Sequence, residues 1–243
     1  MARTTITAVV SRHKIQYALG FLKMNTAIAT TRPRASRVPL MIIIGALAAA
    51  LLWFVGHKAH YFTDYSLESF SDYYWPRRGG LLLHLVGGSL AIGTGLVQIW
   101  LGLTHRTNAL HRVLGKVYGG GVLLASLGGF YMALTIPGHL AYRTGLLGLN
   151  VAWVVTTGMA LYAISLRRIE QHREWMLRSY TVTFAFVSFR VGEQILRNWI
   201  TLPDDPVADD LDTAMAWACW AVPLLFAEAL IQLRAMRRAP LQR

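Results

Sequence analysis

The chain has 243 residues, 54% of them hydrophobic and only 15% charged, yet its formal net charge is +12. A soluble domain of this length has about a quarter of its residues charged. Here the apolar residues come in blocks with the charges between them, which excludes a nucleic-acid binder despite the basic balance.

Residues 1–37 read as a basic cytoplasmic tail: Arg3, Arg12, Lys14, Lys23, Arg32, Arg34 and Arg37 lie in it, and no acid precedes Asp64. The same composition would suit an organelle transit peptide, and Met24 or Met41 could replace Met1 as the start, but the charge pattern of the rest favours a tail. Residues 38–243 read as a single transmembrane domain. Its first apolar block, Val38 to Gly56, has no clean small-x-small cleavage site before His57, so it is expected to be an anchor. A tyrosine-rich stretch follows (Tyr61, Tyr65, Tyr73, Tyr74, Trp75), with the composition of an outer interfacial belt or a short amphipathic helix.

The second block runs from Gly79 to Leu103, the third from Val113 to Ile136 and the fourth from Thr144 to Leu166. The fifth covers Trp175 to Trp199 and the sixth Thr213 to Leu233. Each is about 19 to 25 residues, enough for a hydrocarbon core of about 30 Å at 1.5 Å per residue. Lipid offers no partner to backbone N–H and C=O groups, so each block must be helical. The expected fold is therefore an all-α integral membrane bundle of about six transmembrane helices. Cys219, the one cysteine, lies within the sixth block and makes neither an intrachain disulfide nor a CxxC site.

Lys and Arg set the orientation. Arg106, Arg112 and Lys116 cluster between blocks two and three, Arg167, Arg168, Arg173 and Arg178 between four and five, and Arg234, Arg237, Arg238 and Arg243 at the end. The alternate connections hold most of the acids, including Asp64, Glu68, Asp72, Asp204 and Asp205. This alternation places both termini in the cytoplasm.

Candidate chemistry lies in the histidines and in one buried arginine. His84 shares a helical face with Gly88, Ala91, Gly95 and Gln98, a small-residue contact stripe with room for a ligand. A bland alternative is a hydrogen bond from His84 to a neighbouring helix. Arg190 lies about 15 residues into the fifth block, a depth at which a charge must face the bundle interior or a wet cavity. Glu193, one turn on, could neutralise it as a structural ion pair. Depth along the helices allows a pocket of His84, Gln98, Arg190 and Glu193. At the other face, His111-Arg112 opens the third block and His172-Arg173 opens the fifth. Neutral imidazoles at two matching helix starts are what a haem iron needs, and Arg112 and Arg173 could pair with its propionates. Taken by themselves those arginines read first as anchors to anionic lipid, and it is the matching His-Arg pairs that set the haem reading beside it. Glu228 could relay protons or pair with Arg234. No Walker, Rossmann, triad or metalloprotease pattern is present.

The strings from His84 through Gly95-x-x-Gln98, His111-Arg112-x-x-Gly115-Lys116-x-Tyr118 and His172-Arg173-x-Trp175-Met176-x-Arg178-Ser179-Tyr180 to Thr183-Phe184 and Arg190 resemble a family of bacterial predicted membrane proteins, the domain of unknown function 2306. The resemblance covers about residues 84–190, with Lys116 where arginine is more usual. It implies a multi-pass protein of the bacterial inner membrane and no agreed activity. Its layout of histidines on several helices is similar to that of b-type haem membrane cytochromes.

The expected function is therefore redox-linked: haem b or a quinone bound in the bundle, with His84, His111 and His172 as candidate ligands, His111 and His172 as the pair on the iron, and Arg112, Arg173 and Arg190 as partners of propionates or a quinone oxygen. The expected partners are the lipid bilayer and a quinone or another membrane redox subunit, and no nucleic acid. Two other readings compete: a non-catalytic accessory or assembly subunit of a membrane complex, and a small transporter using His84, Arg190 and Glu193.

Overall fold

The computed structural model describes residues 45, 48–49, 52–53, 55–104, 109–199 and 207–238. These fall in the compact unit Ile44–Arg243. The basic tail and most of the first apolar block lie outside the described residues, as do His105, Arg106, Asp204 and Asp205.

Every regular element among the described residues is helical. A single turn, α1 (His60–Thr63), leads to α2 (Leu67–Tyr74) and a 3-10 turn at Trp75–Arg77. Then come α3 (Arg78–Leu103), α4 (Ala109–Thr135), α5 (Leu140–Ser165), α6 (Ile169–Thr183), α7 (Ala185–Trp199) and α8 (Val207–Arg238). Among the described residues α3, α4, α5 and α8 are long and apolar enough to cross a membrane. The 26 residues of α3 alone rise about 39 Å.

The bundle has an apolar exterior around an apolar core that also holds polar side chains. Leu123, Leu127, Leu134, Val151 and Val155 are exposed, and Leu225 and Phe226 are each 69% exposed, while Gln98, Asn150, Thr157, Ser179 and Thr183 are buried. Water would reverse that distribution; hydrocarbon around the bundle and hydrogen bonds within it account for it.

Glycine decides how α3 meets α4. Gly80 and Gly87, two turns apart, face Gly128 and Gly121. A Cβ on Gly87 would stand 2.6 Å from the Gly121 carbonyl, and one on Gly128 would stand 2.7 Å from the His84 amide nitrogen. Neither space exists, so only glycine lets these backbones touch. The far end of α4 is then capped by two arginines. Arg77 Nε donates to Thr135 O at 2.9 Å, while Arg143 donates to Ala133 O at 3.1 Å and to Leu134 O. The last carbonyls of a helix lack partners within it and carry partial negative charge, so cations there are bound by the backbone.

The fifth block differs from a single span. It is divided at Phe184, whose ψ of −9° relaxes the helix, although Phe184 N–H still reaches Tyr180 O and Ser188 N–H still reaches Phe184 O, both at 3.0 Å. On either side of the break Thr183 donates its hydroxyl to Ser179 O at 2.9 Å and Ser188 to Phe184 O at 3.2 Å. Neither α6 nor α7 meets the length and apolarity of a span taken singly.

At α8, Glu228 pairs with Arg178 of α6 (2.6 Å) rather than with Arg234, and Trp217 Nε1–H donates to Ala141 O of α5 at 3.0 Å. The helix continues through Pro223. Near the start of α2, Ser66 Oγ accepts from Ser69 N–H at 3.2 Å and Phe70 is fully buried, but the tyrosine-rich stretch is not one short helix: Tyr61 lies in α1, Tyr65 between the two, and α2, which holds Tyr73 and Tyr74, is kinked at Ser71 with φ 54°.

Candidate functional site

Three groups of polar side chains occupy successive levels of the bundle. The first stands where α4 and α6 begin. His111 and His172 lie within range of each other's charge. His172 Nδ1 approaches Ala160 O at 2.9 Å. A carbonyl only accepts, so the hydrogen is on Nδ1 and the lone pair is on Nε2. Buried Gln98 belongs to this level: its amide donates to His111 O at 2.8 Å, and Gly115 packs beside it. Arg112 and Arg173 are exposed.

Two turns along α4 and α6 from those histidines, Tyr118 meets Ser179. Here five buried side chains form a knot whose hydrogens can be assigned by counting. Thr183 donates to Ser179 O, so its oxygen accepts from Trp153 Nε1–H at 2.8 Å and from Tyr118 at 2.7 Å. Tyr118, having donated, accepts from Ser179 at 2.6 Å, and Ser179 accepts from Thr157 at 2.6 Å. Every hydroxyl hydrogen is used once, which is what makes a buried polar network tolerable. The knot joins α4, α5 and α6, and Tyr180 OH adds α3 through Ile92 O at 3.2 Å. Gly95 makes room for the Tyr180 ring.

From the knot a chain of rings leads to the third level. Trp153 stands 5.6 Å from Phe186, and Phe186 stands edge-on to His84 at 4.5 Å. His84 Nδ1 donates to Ala125 O of α4 at 2.8 Å, across the glycine contact, leaving Nε2 as an acceptor. Arg190, one turn beyond Phe186, lies within electrostatic range of His84. It donates to Glu193 at 2.8 Å and, at 3.5 Å, to the Tyr74 hydroxyl, and its guanidinium lies 5.3 Å from the Phe189 ring. Lys58, Tyr61, Tyr73 and Tyr142 are also within range of its charge. Burial, and then the charge of Arg190, push the Lys58 ammonium below its ordinary value, while Glu193 opposes the shift.

The expected pocket thus separates. His84, Arg190 and Glu193 gather at one end, and Gln98 lies at the other with His111. Among the described residues no three His, Cys, Asp or Glu side chains converge on a metal site. His57 and His60 pair internally, His60 Nδ1 lying 3.1 Å from His57 O. Sequence reasoning left Tyr118, Trp153, Thr157 and the hydroxyl of Tyr74 without roles. Tyr118 and Ser179 each follow a histidine by two turns, a shared spacing that puts them on the histidines' own helix faces.

A family model described as a predicted membrane protein, domain of unknown function 2306, matches residues 81–231, more than half of the chain. No curated protein and no solved structure matches it.

Proposed function

Because the chain belongs to this family of predicted membrane proteins, whose description carries no activity, we propose a function from the placement of its own side chains: a multi-pass protein of the bacterial inner membrane, both termini cytoplasmic, that holds haem b at its cytoplasmic face in a redox role. The observation that carries the reading is that His111 and His172, at the starts of two helices, lie within range of each other's charge, with Nε2 of His172 turned away from the Ala160 bond. A ligating histidine characteristically has its other nitrogen held by a carbonyl in this way.

The donor set fits haem b. Two imidazoles would serve as axial ligands, while exposed Arg112 and Arg173 beside them would meet the propionates at the polar boundary. Haem would supply reversible one-electron exchange. The protein's own part is to present the two imidazoles, that of His172 oriented by the Ala160 carbonyl.

The orientation draws support from the positive charges on the other face. Arg77 and Arg143 are engaged by α4 carbonyls, and Arg78 lies 4.4 Å from the Trp75 ring while donating to Tyr65 OH at 2.8 Å. These cations have structural partners, so they do not weigh against the positive-inside pattern.

The test is the absorption spectrum of protein produced with adequate haem. A Soret band is expected in the wild type, lost in His111→Ala and in His172→Ala, with both variants still inserted in the membrane. Colourless wild-type protein would overturn the reading and favour an accessory subunit.

A further inference from the structure

We propose that the cluster of His84, Phe186, Arg190 and Tyr74, where α3 and α7 meet the end of α2, binds the ring of a lipid-borne hydroxy-aromatic compound of the quinol class. This site does not rest on the haem reading; it stands at the opposite end of the bundle and is built from other residues.

The first element is an oriented acceptor. The Ala125 carbonyl holds the hydrogen of His84 on Nδ1, on the edge facing α4. Nε2 is therefore an acceptor on the edge facing away from the Ala125 carbonyl, and a ligand atom meeting it must donate. The second is a donor. The Tyr74 oxygen accepts from Arg190, which leaves the phenolic hydrogen of Tyr74 available to a ligand oxygen. Arg190 spends one N–H on Glu193 and one on Tyr74, so its fork still has donors.

Rings flank the acceptor and the arginine. Phe186 stands edge-on to His84 at 4.5 Å, and the Phe189 ring lies 5.3 Å from the Arg190 guanidinium. A flat aromatic ligand with a hydroxyl on one edge and an oxygen on the other matches this order of groups, and aromatic pairs gain beyond simple burial. A full anion does not match: Arg190 is already neutralised by Glu193 at 2.8 Å, and an anion would have to displace that carboxylate.

Access points to the hydrocarbon. His84 is half-buried, the Arg190 side chain is 37% exposed, and the neighbouring α3 residues Leu83 and Val86 present exposed apolar surface. A ligand dissolved in the membrane reaches such a site laterally, and its tail then lies along that apolar surface.

The test uses the full chain in lipid nanodiscs, titrated with an alkyl-tailed benzoquinol and, separately, with the same ring lacking the tail. Trp153, 5.6 Å from Phe186, provides a fluorescence signal. Saturable quenching is expected for the tailed quinol, about tenfold weaker in His84→Ala and in Arg190→Gln. Tyr74→Phe, which removes one oxygen and keeps the ring, is expected to weaken binding several-fold while the protein still folds and inserts in the membrane. Absence of saturable quenching in the wild type would overturn the proposal. So would wild-type affinity in both His84→Ala and Tyr74→Phe, or saturation by the tailless ring and not by the tailed one.

Discussion

His84 donates from Nδ1 to the backbone carbonyl of Ala125 on the neighbouring helix at 2.8 Å, and it can do so because glycines bring α3 and α4 into backbone contact. The imidazole is thereby fixed in one tautomer by main chain, with no side chain involved.

Position-specific sensitivity to added carbon follows. Gly87→Ala puts a methyl 2.6 Å from the Gly121 carbonyl, whereas Gly88→Ala on the same helix meets nothing within 4 Å. Gly87→Ala is expected to cost about 1–3 kcal/mol as the helices separate, and Gly88→Ala to be neutral or slightly stabilising. Thermal unfolding in detergent decides it; equal midpoints for the two variants would mean that the contact carries no weight.

The hydroxyl knot makes a second test. Tyr118→Phe leaves the Ser179 hydroxyl without its acceptor and takes a donor from Thr183, with an expected cost of about 1–3 kcal/mol. Adding Ser179→Ala to that variant should cost less than Ser179→Ala in the wild type, because both changes remove the same bond. Strict additivity in denaturant unfolding would contradict the assigned chain of donors.

Arg190 and Glu193 should not be equivalent. Glu193 lies on the same helix as Arg190, whereas Arg190 also reaches Tyr74 on α2. Arg190→Ala is therefore expected to lower the unfolding midpoint more than Glu193→Ala, since it loses the link between elements and leaves a partly buried carboxylate behind. A double neutral variant that recovers full stability and wild-type quinol binding would leave only a structural pair.

Topology is tested by reporter fusions. Fusions after Arg173 and at the C-terminus are expected to report cytoplasm, and fusions near Asp72 and His139 the outside. A cytoplasmic signal from the acidic segment around Asp205, which lies outside the described residues, would overturn the arrangement of about six spans.

The helices were legible in the sequence because hydropathy needs no knowledge of partners. The second block, Gly79 to Leu103, falls within α3 (Arg78–Leu103), and α4 and α5 each begin about a turn before their blocks, where polar residues such as His111, Arg112 and Arg143 extend the helix past the apolar part. The division at Phe184 was not legible, because the apolar block from Trp175 to Trp199 runs through it with neither proline nor a change of hydropathy to mark it. Helix-face counting correctly placed Gln98 in line with His84, but alignment along a helix says nothing of depth. Some 14 residues separate them, about 21 Å of rise, so they serve opposite ends. The knot was missed for another reason. Hydroxyl and indole groups carry no charge, and only the arrangement of three helices shows that their hydrogens close into one chain.

Electron paramagnetic resonance of the oxidised protein reads directly whether His111 and His172 share one iron. A single low-spin haem signal is expected in the wild type, and His111→Met and His172→Met should each change its ligand field or abolish it. A haem signal that neither substitution alters, or none in protein produced with ample haem, would contradict the claim.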